Sequence, residues 1–149
     1  MKNHSEKAAE LFVNGCNCSQ AVFGAFAEDC GIDFETALRL SSSFGGGMGR
    51  LRETCGAVTG MFMVASMAIP ADNKDAEAKK ANYALVQQVA EDFRQENGSI
   101  ICRELLGLTC KKEDPTPSAR TQEYYKKRPC GELVYLAAEI VGKRLMEML

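Results

Sequence analysis

The sequence is short of histidine, lacks a Cys-x-x-Cys step, contains no apolar run long enough to cross a bilayer and carries no surplus of positive charge. Each shortage removes a class of function. Its one histidine, His4, falls in a segment where fraying is expected, which sets aside cysteine–histidine hydrolysis and a histidine-rich zinc site. Without Cys-x-x-Cys there is neither a thioredoxin motif nor a zinc ribbon. The longest apolar stretch, Ala57 to Pro70, is broken by Thr59, Gly60 and Ser66 and stops short of the roughly 20 residues a spanning helix needs. It reads as a buried core helix. Eighteen basic against twenty acidic residues, a net charge of -2, provide no electrostatic footprint for nucleic acid. The first residues, Met-Lys-Asn-His-Ser-Glu-Lys, lack the apolar centre and small-residue cleavage site of a secretory signal, so a cytoplasmic location is expected.

What remains is a globule-forming composition with an unusual number of thiols. With 46% hydrophobic and 26% charged residues, the 149-residue chain can bury one core, and a single domain over 1–149 is expected. Seven cysteines, at 16, 18, 30, 55, 102, 110 and 130, are many for a reducing compartment, where structural disulfides seldom persist. They point to thiol chemistry or metal binding. Cys30 reads as a small packed hydrophobe.

Apolar residues recur in threes and fours with no long alternating run, which gives an all-α fold of six to seven helices. A first helix from about Glu6 stops at Asn14-Gly15, and a second runs from about Cys18 to Asp29. Asp33 caps a short third helix carrying Leu38 and Leu40. A Gly-rich loop follows, Phe44-Gly45-Gly46-Gly47-Met48-Gly49-Arg50, and leads to the central apolar helix after Cys55. The longest helix is expected between Asp72 and Asn97, with a stripe of Leu85, Val86, Val89 and Phe93. Gly98-Ser99 caps a short helix through Cys102, Leu105 and Leu106, which Gly107 closes. Residues 111–123, with two prolines among small polar residues, read as a flexible surface loop that Tyr124 and Tyr125 anchor to the core. Arg128-Pro129-Cys130 opens the last helix, whose stripe is Leu133, Val134, Ala137, Val141, Leu145 and Met148.

Four cysteines fall in or beside the first turn of four different helices: Cys18, Cys55, Cys102 and Cys130. Helix starts present unpaired N–H groups and positive partial charge, which favour a thiolate over a thiol. If the four starts converge, their mutual repulsion has to be relieved by disulfide formation, protonation or a metal. Two uses fit. One is thiol redox exchange, which requires no cofactor. The other is an iron–sulfur cluster or zinc held by the same four sulfurs, with Cys16 and Cys110 as auxiliary ligands.

Gly45, Gly46, Gly47 and Gly49, with Arg50 or Arg52 nearby, can bring backbone N–H groups close to such a cluster or to a small anion, or can simply make a turn. The Gly-Lys-Ser or Gly-Lys-Thr of a phosphate loop is missing. Glu53 beside Cys55 is either a proton acceptor or an ordinary first-turn carboxylate. Met61, Met63 and Met67 read as core filler.

At Cys55-Gly56-Ala57-Val58-Thr59-Gly60 the chain resembles the redox-active proteins with a CGAxxG motif, the C_GCAxxG_C_C family. The likeness extends over Asn17-Cys18-Ser19-Gln20-Ala21-Val22, Phe44 to Gly49, Cys102-Arg103-Glu104-Leu105-Leu106-Gly107 and Cys130. It implies four signature cysteines, carried onto Cys18, Cys55, Cys102 and Cys130, and a redox role. It also implies a redox partner or an accessory role beside a transporter system, binding a small anion or a sulfur or metal species. A related domain in split-Soret cytochromes implies an iron–sulfur centre. Cys16, Cys30 and Cys110 lie outside the pattern.

Overall fold

The computed structural model describes residues 3–72, 74–108, 113–122, 124 and 129–148. Among them are seven helices: α1 His4–Val13, α2 Cys18–Ala25, α3 Phe34–Ser41, α4 Gly56–Ala68, α5 Ala76–Asn97, α6 Cys102–Leu105 and α7 Cys130–Glu147. The fold is all-α. No strand occurs among the described residues, though an isolated antiparallel bridge joins Thr54 to Ile101. None of the described helices is long and apolar enough to cross a membrane.

Local signals explain the helix starts. Asn3, Asn17, Asp33 and Asp75 each place a side-chain oxygen on a backbone N–H of the following first turn. At Asn17 the bond is reciprocated by Gln20, making a capping box. The α1 helix begins at His4 rather than Glu6, and His4 is not frayed: its ring stacks on Phe26 with centroids 4.1 Å apart, and it pairs with Asp29. The α2 helix ends earlier than expected because its last turn tightens into Phe26 N–H to Phe23 O and Ala27 N–H to Gly24 O bonds. Asp72 accepts from the N–H groups of Lys74 and Asp75, a turn that delays the start of α5 to Ala76. Ser99 does not cap α6; Ile101 holds that position, and Ser99 Oγ instead accepts from the Ile101 N–H.

The α4 helix, apolar on nearly every side, is the centre of the fold, with α2, α5 and α7 packed around it. Gly56 and Gly60 lie one turn apart on the face that meets α2. A Cβ on Gly60 would stand 2.7 Å from Val22 Cβ, and one on Gly56 would stand 3.2 Å from Cys18 Cβ. The two glycines of the Cys-Gly-Ala-x-x-Gly segment therefore let α2 and α4 touch at the backbone. Phe12, Phe23, Phe26 and Phe93 fill the core around them, each contributing about 1.5–3 kcal/mol of burial. The α7 stripe of Leu133, Val134, Ala137 and Val141 is buried as expected, whereas Met148 lies beyond the helix and is exposed. Arg144 grips Asp92 through two bonds of 2.8 and 2.9 Å and ties α7 to α5.

Candidate functional site

The helix starts converge. Cys18, Cys102 and Cys130 are the first residues of α2, α6 and α7, and Cys55 caps α4. All four stand on the wall of one cavity of about 270 Å³. Two of the segments are clamped by main chain: the Cys55 N–H donates to Ile100 O at 2.8 Å, and the Cys102 N–H donates to Glu53 O at 2.6 Å. The Cys18 thiol lies beside that of Cys130, with Cys55 and Cys102 within electrostatic reach of it, and Cys55 is within reach of Cys102 and Cys130. The six described cysteines are all free thiols.

The ionisation expected at helix starts is overturned for two of these sulfurs. Its interaction with the Cys130 thiol pushes the Cys18 thiol well above its usual range, and enclosure by protein adds to the effect although the residue keeps some surface open to the cavity. Burial pushes Cys55 up to about 12. The backbone N–H groups of Ala57 and Val58 pull Cys55 the other way, as the helix-start argument requires, but desolvation is the larger effect.

The glycine segment has an uncommon shape. Gly46, Gly47, Met48, Gly49 and Arg50 have consecutive φ values of 70°, 69°, 71°, 62° and 67°, and the Gly49 N–H bonds to Gly45 O at 2.9 Å. This is a turn of left-handed helix. L-residues pay about 1–2 kcal/mol each for that conformation, so three glycines carry most of it while Met48 and Arg50 are strained. Gly47 also stands so near Cys102 that a Cβ there would lie 2.5 Å from the cysteine Cβ. The backbone thus passes directly beside a sulfur-bearing residue.

Arg50 stands on the wall of the cavity. Its guanidinium bonds to Asp114 O at 2.6 Å, Ser118 Oγ at 3.2 Å and Glu113 Oε2 at 3.1 Å. Arg52, named in the sequence only as a neighbour, is the more telling residue. It is 3% exposed, with Nε on Glu113 Oε1 at 2.6 Å and Nη1 on Cys102 Sγ at 3.4 Å. Burial works against its charge, but the Cys102 sulfur and the Glu113 carboxylate outweigh that and hold Arg52 above its ordinary range.

The described part of the segment over 111–123 makes contacts with the site. Glu113 bridges Arg50 and Arg52, and Pro115, Pro117 and Ser118 form part of the cavity wall. Further along, Arg120 donates to Phe12 O and Cys16 O and lies over the rings of Phe12 and Tyr124 at 4.6 and 5.0 Å. Tyr124 is an anchor in this sense; Tyr125 lies outside the described residues. Nothing local in the sequence marks Glu113 or Arg120, because their partners are distant in the chain.

The remaining candidates separate from the cavity. Cys16 and Cys30 are half-buried outside its wall, each thiol raised first by burial. Cys110 lies outside the described residues. Glu53 lies ahead of the first turn of α4, which starts at Gly56, and pairs with Arg103 at 3.0 Å. Among the described residues, no three of histidine, cysteine, aspartate or glutamate are arranged to hold a metal ion. Four thiols suit zinc or iron by donor chemistry, but in the conformation described they are not a closed ligand set.

A family model described as "Putative redox-active protein (C_GCAxxG_C_C)" matches residues 16–144, from Cys16 into the last turns of α7. The chain belongs to the C_GCAxxG_C_C family. No curated protein and no solved structure matches it. The match takes in all four cavity cysteines of this C_GCAxxG_C_C member, the left-handed glycine turn and the Gly56/Gly60 contact between α2 and α4. The redox description belongs to the family as a whole.

Proposed function

We propose that this C_GCAxxG_C_C protein is a thiol-based redox protein in which Cys18, Cys55, Cys102 and Cys130 cycle between thiol and disulfide. The observation that carries the reading is the gathering of Cys18, Cys55, Cys102 and Cys130 on the wall of one cavity, with the Cys18 thiol beside that of Cys130. Two thiols give up two electrons and two protons as their sulfurs join, and the disulfide of a redox partner takes them up. Keeping Cys18 protonated beside Cys130 and Cys55 protonated by burial slows indiscriminate exchange and confines reaction to a disulfide that enters the cavity. No cofactor is needed, and a reducing cytoplasm would return the thiols. The glycine turn supports the site by letting the backbone pass close to Cys102.

Alkylation and mass spectrometry before and after mild oxidation test this. Loss of alkylation in pairs among the four positions is expected, and unchanged labelling of all four would end the proposal.

The gathering of four soft donors on one wall favours a second reading, in which Cys18, Cys55, Cys102 and Cys130 hold zinc or an iron–sulfur centre for electron transfer or sensing. The arrangement of the described residues weighs against it. Stoichiometric iron or zinc in an anaerobically purified sample, with visible absorbance in the iron case, would displace the thiol reading.

A further inference from the structure

The proposed exchange needs one sulfur that can act first, and a buried cation marks where it is. The Arg52 guanidinium is fixed from several directions: its backbone sits in the left-handed region at φ 58°, its N–H bonds to Gly46 O at 3.3 Å, and its Nε is on Glu113. What this fixed group presents to Cys102 Sγ is an N–H at 3.4 Å. The base of Cys102 is equally constrained, by its N–H on Glu53 O and by Gly47 pressed against its Cβ. A guanidinium held against a sulfur stabilises the negative charge that sulfur must carry to attack. Among the described residues, the charged and titratable groups facing Cys102 include Arg52 from beside the glycine turn, Glu113 behind Arg52, and the thiols Cys18 and Cys55; Cys130 stands on the same cavity wall. Arg103, on the same helix, is turned away to Glu53. Glu113 therefore competes with Cys102 for the Arg52 charge.

We infer that Cys102 makes the first bond to an incoming small disulfide and that Arg52 is its positioning residue, an inference that rests on the thiol-redox reading above. The Cys102 proton goes to water, and the thiolate attacks one sulfur of the incoming disulfide. That S–S bond breaks, one half stays on Cys102 as a mixed disulfide, and the other half leaves as a thiolate and is protonated by solvent. A second cavity thiol then gives up its proton and attacks the Cys102 sulfur. The protein disulfide closes and the second half is expelled as a thiol. The incoming disulfide has gained two electrons and two protons, and the protein has lost them.

The test uses reduced full-length protein, excess 2-hydroxyethyl disulfide at one fixed neutral pH, acid quenching and peptide mass mapping over time. The adduct should appear first on Cys102. Arg52→Gln should slow its formation about tenfold, and Arg52→Lys should retain part of the rate. Glu113→Gln keeps an oxygen for the Arg52 Nε but removes the competing charge, so it should accelerate the reaction. A merely structural role for Arg52 would move both glutamine variants in the same direction. First modification at Cys18, Cys55 or Cys130, or a slower Glu113→Gln protein, overturns the assignment while leaving thiol redox standing. No modification or oxidation at any of the four removes the underlying reading and the assignment with it.

Discussion

Replacing Gly60 by alanine should part the two helices that carry Cys18 and Cys55. The added Cβ would lie 2.7 Å from Val22 Cβ, 3.1 Å from Val22 Cγ1 and 3.2 Å from Ser19 O. Carbon atoms prefer about 3.5–4.0 Å, so α2 must move away from α4 by up to roughly an ångström. Val22 cannot swing aside, because it is fully buried and β-branched. Overpacking of this kind costs about 1–3 kcal/mol. At about 2–4 °C per kcal/mol for a chain of this size, Tm should fall by roughly 2–12 °C. Gly142→Ala is the matched control. Its Cβ would meet Phe26 Cζ at 3.6 Å, an ordinary contact in the interior of α7, so the gain in helix propensity of about 1 kcal/mol should raise Tm. Thermal unfolding followed by far-ultraviolet circular dichroism measures both. The reasoning is refuted if Gly60→Ala matches or exceeds the parent. Iodoacetamide labelling of Cys18 and Cys55 below Tm should also quicken in Gly60→Ala alone.

Three further outcomes are expected. Because folding raises the Cys55 thiol from near 9 to about 12, the unfolded chain releases that proton first as pH climbs. Its contribution to stability is complete below pH 9 and is lost between about 9 and 12, so urea midpoints should fall across that window in the parent and less steeply in Cys55→Ala. Glu113→Ala removes the carboxylate that bridges Arg50 and Arg52; a loss of about 1.5–3 kcal/mol in urea unfolding is expected, together with faster proteolysis at 113–118. Asn17→Ala breaks the capping box at the start of α2 and the Nδ2 bond to Ser42 O, and should destabilise by about 1–2 kcal/mol in the same assay.

What could be read from the sequence was what short-range chemistry decides. Asn17, Asp33 and the Ala57 to Pro70 run announce helix starts and a buried helix through residues close in the chain, and the same signals placed four cysteines at helix beginnings. The ionisation of Cys55 could not be read that way, because the N–H groups of Ala57 and Val58 are local while the protein that buries the sulfur comes from elsewhere. Arg50 and Arg52 looked interchangeable beside the glycines. Only the path of the left-handed turn sends one to Asp114 and Ser118 and the other to Cys102. His4 looked frayed for a similar reason, since Phe26 and Asp29 hold it from more than twenty residues away.

The pair of backbone hydrogen bonds joining residues 53–55 to residues 100–102 has a consequence for how the chain tolerates change. Peptide groups are common to every amino acid, so the separation of Cys55 and Cys102 is set by a feature that substitutions at Thr54 or Ile101 leave untouched. Proline at 55 or 102 would remove a donor and open the clamp, and a one-residue insertion on either side would throw it out of register. The spacing of these two sulfurs is thereby insulated from side-chain drift and exposed to changes in length.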